Sequence, residues 1–138
     1  MSEKIFPPTH KIGAFAIIQD NEGRILISRR PDNGYYNLPG GGIESHESPQ
    51  VGLVREVKEE TGLEVKINRL IGVYSKTHVH EIVFSFEAKV IGGTLQLTNE
   101  ADKHLWLAPE ELDSISILTR HLERINDFLL SEAFVILK

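Results

Sequence analysis

Three glutamates, Glu56, Glu59 and Glu60, fall three and four residues apart in the stretch REVKEETGL. On a helix that spacing projects their carboxylates from neighbouring positions on one side. At about 6 Å and an effective dielectric of about 20, each like-charged pair repels by about 3 kcal/mol. A solvated helix face would screen that repulsion, and a divalent cation would reverse its sign. Oxygen-only donors suit Mg²⁺ or Mn²⁺, and Mg²⁺ typically takes one or two carboxylates together with waters and substrate phosphates. Arg55 adjoins the cluster and Glu47 precedes it. An arginine among acids can be a weak solvated ion pair, or its planar fork can hold two carboxylates in fixed directions.

The surrounding residues read as a Gly-rich loop, an acidic linker and a short helix. Ser48 is a good N-cap, Pro49 fits the first helical position, and Gly62 can close the helix in a left-handed conformation. Val51, Val54 and Val57 recur every three residues with Leu53 beside them, which predicts the core-facing side. Gly52, one turn before Glu56, is expected to leave room in front of it. Gly40, Gly41 and Gly42 permit positive φ and close approach of backbone to a ligand.

The full spacing is Gly41, five residues, Glu47, seven residues, then Arg55-Glu56-Val57-Lys58-Glu59-Glu60-Thr61-Gly62-Leu63. This resembles the complete signature of the Nudix hydrolases, and Leu38-Pro39-Gly40-Gly41 resembles the family's lead-in. The resemblance implies an α/β (α+β) fold with a mixed β-sheet sandwiched between helices. It also implies metal-dependent hydrolysis of a phosphoanhydride bond in a nucleoside diphosphate derivative. Carried onto this chain, the metal ligands are Glu56, Glu59, Glu60 and a backbone carbonyl from the Gly40 or Gly41 region, assigned to Gly41. Arg55 and Glu47 support the metal site, with a more distant ligand as the alternative role for Glu47. An acid on a later loop, best matched by Glu100 and then by Asp102, adds a ligand or the general base. Glu59, Glu100 and Arg55 form the implied catalytic set, with Glu59 or Glu100 taking a proton from water.

A nucleoside triphosphate or a modified one is the first substrate class. ADP-ribose or another nucleotide sugar is the alternative. A non-catalytic nucleotide-sensing domain on the same fold is a third reading, since fold does not fix function. The presence of every signature acid argues against it.

The 138 residues suit one domain, 1–138, with 41% hydrophobic and 25% charged residues, a soluble globular balance. No cysteine is present, which excludes disulfides, a thiol nucleophile and cysteine metal sites. The segment MSEKIFPPTH lacks the apolar core of a signal peptide, and no apolar run approaches the roughly 18 to 20 residues of a membrane span. A cytoplasmic protein with no membrane attachment is the expectation. A net charge of −5 argues against broad nucleic-acid binding and leaves attraction of a small polyphosphate to metal and local cations.

Along the chain, residues 1–9 read as a loose lead-in. Lys11 to Gln19 and Arg24 to Arg30 read as strands of a β-hairpin around the turn Asp20-Asn21-Glu22-Gly23. Leu63 to Tyr74 reads as a strand broken near Asn68, and His80 to Ile91 as a strand with clear alternation. Thr94 to Leu97 reads as a short strand or an extended segment. A strand carrying Trp106 leads into a Pro-started short helix at Pro109. Ser116 to Leu130 places Ile117, Leu118, Leu122, Ile125, Phe128 and Leu129 at amphipathic-helix spacing. The apolar tail from Ala133 to Lys138 is a candidate for a sheet edge, a core cover or a homodimer contact.

Substrate contacts are expected outside the signature, at Arg29, Arg30, Tyr36 and Lys76. Arg29 and Arg30 end a strand beside the Gly-rich loop, so one is expected to face phosphate and the other to face away. Tyr35 stands with Tyr36, while Phe84 and Trp106 read as structural. His78 and His80 alternate and would share a face if the segment were a strand, lining the pocket or its edge.

Overall fold

The computed structural model describes residues 6–130 and 134–138. The strands are β1 (Lys11–Ile18), β2 (Ile25–Arg29), β3 (Tyr36–Asn37), β4 (Gly40–Gly42), β5 (Leu63–Lys76), β6 (Glu81–Gly93), β7 (Lys103–Leu107) and β8 (Ile136–Leu137). The α-helices are α1 (Pro49–Thr61) and α2 (Thr119–Leu130). A five-stranded sheet has the order β4-β1-β6-β5-β8 and a three-stranded sheet the order β3-β2-β7. The larger sheet is mixed: β1 runs parallel to β6, while β5 runs antiparallel to it.

The expected β1–β2 hairpin does not form. β1 pairs with β6 along its whole length, β2 pairs with β3 and β7, and the two strands meet only at the Gln19–Ile25 bridge. The reason is visible in β1 itself. Ala14, Ala16 and Ile18 pack in one core and Ile17 in the other, so both faces are apolar. A strand buried on both faces belongs inside a sheet.

Each face carries one helix. Leu53 and Val57 of α1 pack on Ala14, Ala16, Ile18, Val65 and Phe86. Ile125 and Phe128 of α2 pack in the other core with Ile17, Ile27, Leu38 and Ile71. The mixed sheet between helices is therefore the observed architecture. The break expected near Asn68 is a register shift between Ile67 and Arg69, the signature of a β-bulge.

Helix α1 starts and stops as its sequence dictates. The Ser48 hydroxyl accepts the Val51 N–H at 3.2 Å, and Gly62, at φ +81°, donates its N–H to the Lys58 carbonyl at 2.9 Å. The buried face differs from the valine series, because Val51 is 60% exposed. Leu53, Val57, Glu60 and Thr61 are buried instead. A strict three-residue repeat drifts off one face of a helix with 3.6 residues per turn, whereas spacings of four, seven and eight stay on it. That places Glu60 at the core side and leaves Glu56 and Glu59 nearer solvent.

In α2 the buried residues are His121, Arg124, Ile125 and Phe128, and Leu129 lies at the surface. The sequence pattern of leucines and isoleucines alone misses the two polar members of this face. Residues 94–98 form no strand, Pro109–Ser114 is a 3-10 turn, and Trp106 is a partly buried packing residue. The tail forms a sheet edge, with Ile136 and Leu137 parallel to Gly72 and Val73 of β5. Pro7 and Pro8 lie outside regular structure. The expected lead-in at residues 1–5 and the start of the apolar tail at Ala133 lie outside the described residues.

Candidate active site

Strand β4 and helix α1 bring the signature residues to one cleft. Gly40, Gly41, Gly42, Glu56, Glu60, Glu100 and Arg30 line a space of about 160 Å³. Glu56, Glu59 and Glu100 each offer a carboxylate oxygen, and these lie within 4.8 Å of one another. Glu100 comes from the loop before β7, 39 residues after the end of α1 at Thr61. The sequence-derived pairing of Glu100 with the helix acids is thus a spatial fact, whereas Asp102 is turned away to Arg29, accepting from its Nε at 2.8 Å.

Arg55 organises the acids. Its Nε and Nη2 donate to the two oxygens of Glu47, at 3.1 and 2.5 Å. Its Nη1 donates to Glu56 Oε1 at 3.1 Å and to Glu59 Oε2 at 3.2 Å, and Nη2 also donates to the Gly42 carbonyl at 3.3 Å. The guanidinium hydrogen bonds hold Glu47 well below the usual carboxylate range, at about 2. Glu47 is therefore a fixed acceptor for Arg55, and its place in the cluster is that of a support.

Glu60 differs from its neighbours. It is 5% exposed and accepts the Gly40 N–H at 3.2 Å. Burial, reinforced by the charges of Glu100 and Glu56, pushes its pKa up to about 8, with the Gly40 hydrogen bond opposing. Burial also raises Glu56, against the Arg55 hydrogen bond. Glu60 lines the cleft but stands outside the tight three-carboxylate group.

The glycines are spaced for these contacts. A Cβ on Gly41 would lie 2.8 Å from the Glu56 carboxylate carbon. The room at Gly52 is used otherwise than expected: its missing Cβ accommodates Ile43 and the Glu47 carboxylate, not Glu56. Gly40, at φ +149°, lies against Ala14 and Phe15 of β1, where a Cβ would come within 2.1 Å of a carbonyl oxygen.

The ladder also decides which carbonyl faces the cleft. Ala14 stands opposite Gly41, between the bonded pairs Ala16–Pro39 and Ile12–Ile43. In an antiparallel ladder the hydrogen-bonded and outward-facing residues alternate, so the Gly41 carbonyl turns to β1. Gly40 turns outward, as its N–H bond to Glu60 demonstrates. Both Gly40 and Gly41 line the cleft, and Gly40 is the one whose N–H meets an acid there.

Of the four expected substrate contacts, Arg30 lines the cleft and Arg29 does not, in keeping with strand alternation. Arg30 is also held by Asp32, with Nε to Oδ1 at 3.1 Å and Nη2 to Oδ2 at 3.0 Å. Tyr36 is a core residue at 8% exposure, which removes it from the surface, and Tyr35 is exposed. Lys76 forms an ion pair with Glu81 and lines a separate cavity against α2. His78 and His80 do not share a strand face. His78 lies in a 3-10 turn, and His80 closes it at φ +53°.

Sequence reading missed the residues of that second cavity: Phe15, Arg120, His121 and Arg124. The available signal was a histidine and an arginine at helical spacing with Ile125 and Phe128. No helix among the described residues is long and apolar enough to cross a membrane.

The chain matches the NUDIX domain over residues 9–128. It is 38% identical over 110 residues to a MutT-like protein of Streptomyces ambofaciens, covering 80% of this chain and 71% of that protein. It is 41% identical over 121 residues to an ADP-ribose pyrophosphatase of Methanocaldococcus jannaschii, covering 81% and 69%. Its fold resembles that of a NUDIX hydrolase from Nitrosomonas europaea, with a TM-score of 0.80, 23% identity, and coverage of 98% and 82%. Divalent metal ions are general to this family, and oxygen donors grouped as Glu56, Glu59 and Glu100 are fit to hold one. Signature, cleft and domain match agree, and the protein belongs to the Nudix hydrolase family.

Proposed function

We propose that the chain is a pyrophosphohydrolase that cleaves a phosphoanhydride bond in a nucleoside diphosphate derivative. The observation that carries this reading is the convergence of Glu56, Glu59 and Glu100 beside Arg55 at the Gly-rich strand. Mg²⁺, or Mn²⁺ in its place, suits this oxygen-only set. When bound there, such an ion neutralises charge on the diphosphate oxygens and acidifies an attacking water. Glu56, Glu59 and Glu100 are its proposed carboxylate ligands, with the Gly40 carbonyl and Glu60 on the inner side of the cleft.

The chain's own groups divide the remaining work. Arg55 keeps Glu56 and Glu59 aimed in one direction. Arg30, at the rim, contacts phosphate oxygen. Glu56 and Glu59 both accept from Arg55, whereas Glu100 accepts no hydrogen bond from any described side chain, so its carboxylate oxygen is the proposed acceptor of the water's proton.

A nucleoside triphosphate, including a modified one, is the first substrate class. ADP-ribose is the second, favoured by the 41% identity to the Methanocaldococcus jannaschii ADP-ribose pyrophosphatase. The test is incubation with Mg²⁺ and a panel of both classes, with product separation and Glu59→Gln alongside. Hydrolysis of one class, lost in the variant, is the expected result. Nucleotide binding without turnover would replace this reading with a sensor domain.

A further inference from the structure

A cavity of about 390 Å³ lies between β1 and α2. Its charged lining is Lys76, Glu81, Arg120 and Arg124, with His121 beside them. Lys76 and Glu81 neutralise each other. Among the described residues the polar contact of Arg120 is with the ring nitrogen of His78, at 3.2 Å. Arg124 is 3% exposed, and among the described residues its guanidinium has no acid partner. Among the described residues its Nε has no hydrogen-bond partner. The acids nearest it on α2 are engaged elsewhere: Glu123 and Asp127 both accept from Lys138, at 3.0 and 3.2 Å.

A buried guanidinium without an anion is costly, and here aromatic faces offset part of that cost. The Arg124 guanidinium carbon lies 5.2 Å from the Phe15 ring centroid and 5.4 Å from that of Tyr74. Those rings hold the fork in place without using its donors. His121 adds no charge, because burial drives its pKa down to about 3 and its Nδ1 accepts the Leu38 N–H. Two cations thus remain uncancelled in a chain whose net charge is −5.

The cavity adjoins the acid cleft. Phe15, which lines it, is the register partner of Gly40, which lines the cleft. We propose that this cavity is a subsite for a phosphate monoester carried by the substrate in addition to its scissile diphosphate, held by Arg120 and Arg124. The proposal rests on the pyrophosphohydrolase reading for what occupies the cleft. It narrows the substrate to nucleoside diphosphate derivatives with a further phosphate on the nucleoside or on the linked group. Guanidinium forks match phosphate oxygens in pairs, and a desolvated fork discriminates strongly against a ligand that lacks them.

The test separates this proposal from turnover. Inorganic phosphate is titrated into the full chain in EDTA, with the arginine Nε–H resonances followed by NMR. Saturable shifts at Arg124 and Arg120, weakened at least about 10-fold in affinity by Arg120→Gln and by Arg124→Lys, are expected. No saturable shift, or shifts indifferent to both substitutions, would overturn the subsite. A tighter response to acetate than to phosphate would overturn the phosphate assignment. In a preparation that hydrolyses both NADH and NADPH, or both dephospho-coenzyme A and coenzyme A, kcat/KM should favour the phosphorylated member of at least one pair by about 10-fold or more. Equal rates in both pairs would overturn the substrate class while leaving the hydrolase reading intact.

Discussion

Arg55 grips Glu47 through both edges of a fork, Nε to Oε2 and Nη2 to Oε1, while its remaining nitrogen reaches Glu56 and Glu59. One side chain thus couples the acidic linker to two of the clustered carboxylates. Lysine keeps the charge but has no planar fork. Arg55→Lys should lower metal affinity or turnover by about 10- to 100-fold, as for loss of a partner that orients metal ligands. Calorimetric titration with Mn²⁺ and initial rates would read it, and unchanged values would show that Arg55 is only a surface cation.

Gly41 gives a sharper geometric test. An added Cβ would sit 2.8 Å from the Glu56 carboxylate, and the backbone there has no positive φ to confound the result. Gly41→Ala should therefore displace Glu56 and weaken Mn²⁺ binding by about 10-fold or more. A fold intact by circular dichroism, with wild-type metal affinity, would contradict the packing described.

Glu60→Gln should preserve the fold, because the amide oxygen can still accept the Gly40 N–H, and reduce turnover by about 100-fold or more. It should also change the pH dependence of the metal-free protein. Glu60 rises from an ordinary 4.5 to about 8 on folding. The folded state then holds a proton that the unfolded state has released, so stability falls as pH rises from about 4.5 to 8. Denaturant midpoints of Glu60→Gln should show a flatter decline over that interval than the parent.

His121 works in the opposite direction. Its folded value, about 3, lies below the ordinary 6.5, because burial disfavours the imidazolium. Its contribution is present above pH 6.5 and lost as pH falls toward 3, with a limiting slope of about 1.4 kcal/mol per pH unit. His121→Asn, which retains an acceptor for the Leu38 N–H, should flatten the acid limb of the stability profile. An unaltered limb would mean that His121 is not the buried neutral group described.

The amino-acid sequence by itself determined the unit that defines the family. Ser48, Pro49 and Gly62 bound α1 through local hydrogen bonds and backbone preference, and the spacing of Glu56, Glu59 and Arg55 sets their mutual reach within one helix. These are near-neighbour effects, so they are legible in order along the chain. The tertiary structure alone decided what depends on distant partners. It carried Glu100 to the helix acids, set the Gly40 N–H against Glu60 by pairing β4 with β1, and buried Tyr36 in the core. It also separated β1 from β2, because a strand apolar on both faces is more stable inside a sheet than in a local hairpin. The pairing of Arg124 with Phe15 and Tyr74 joins α2 to β1 and β5 across the sheet face, and no short-range spacing encodes it.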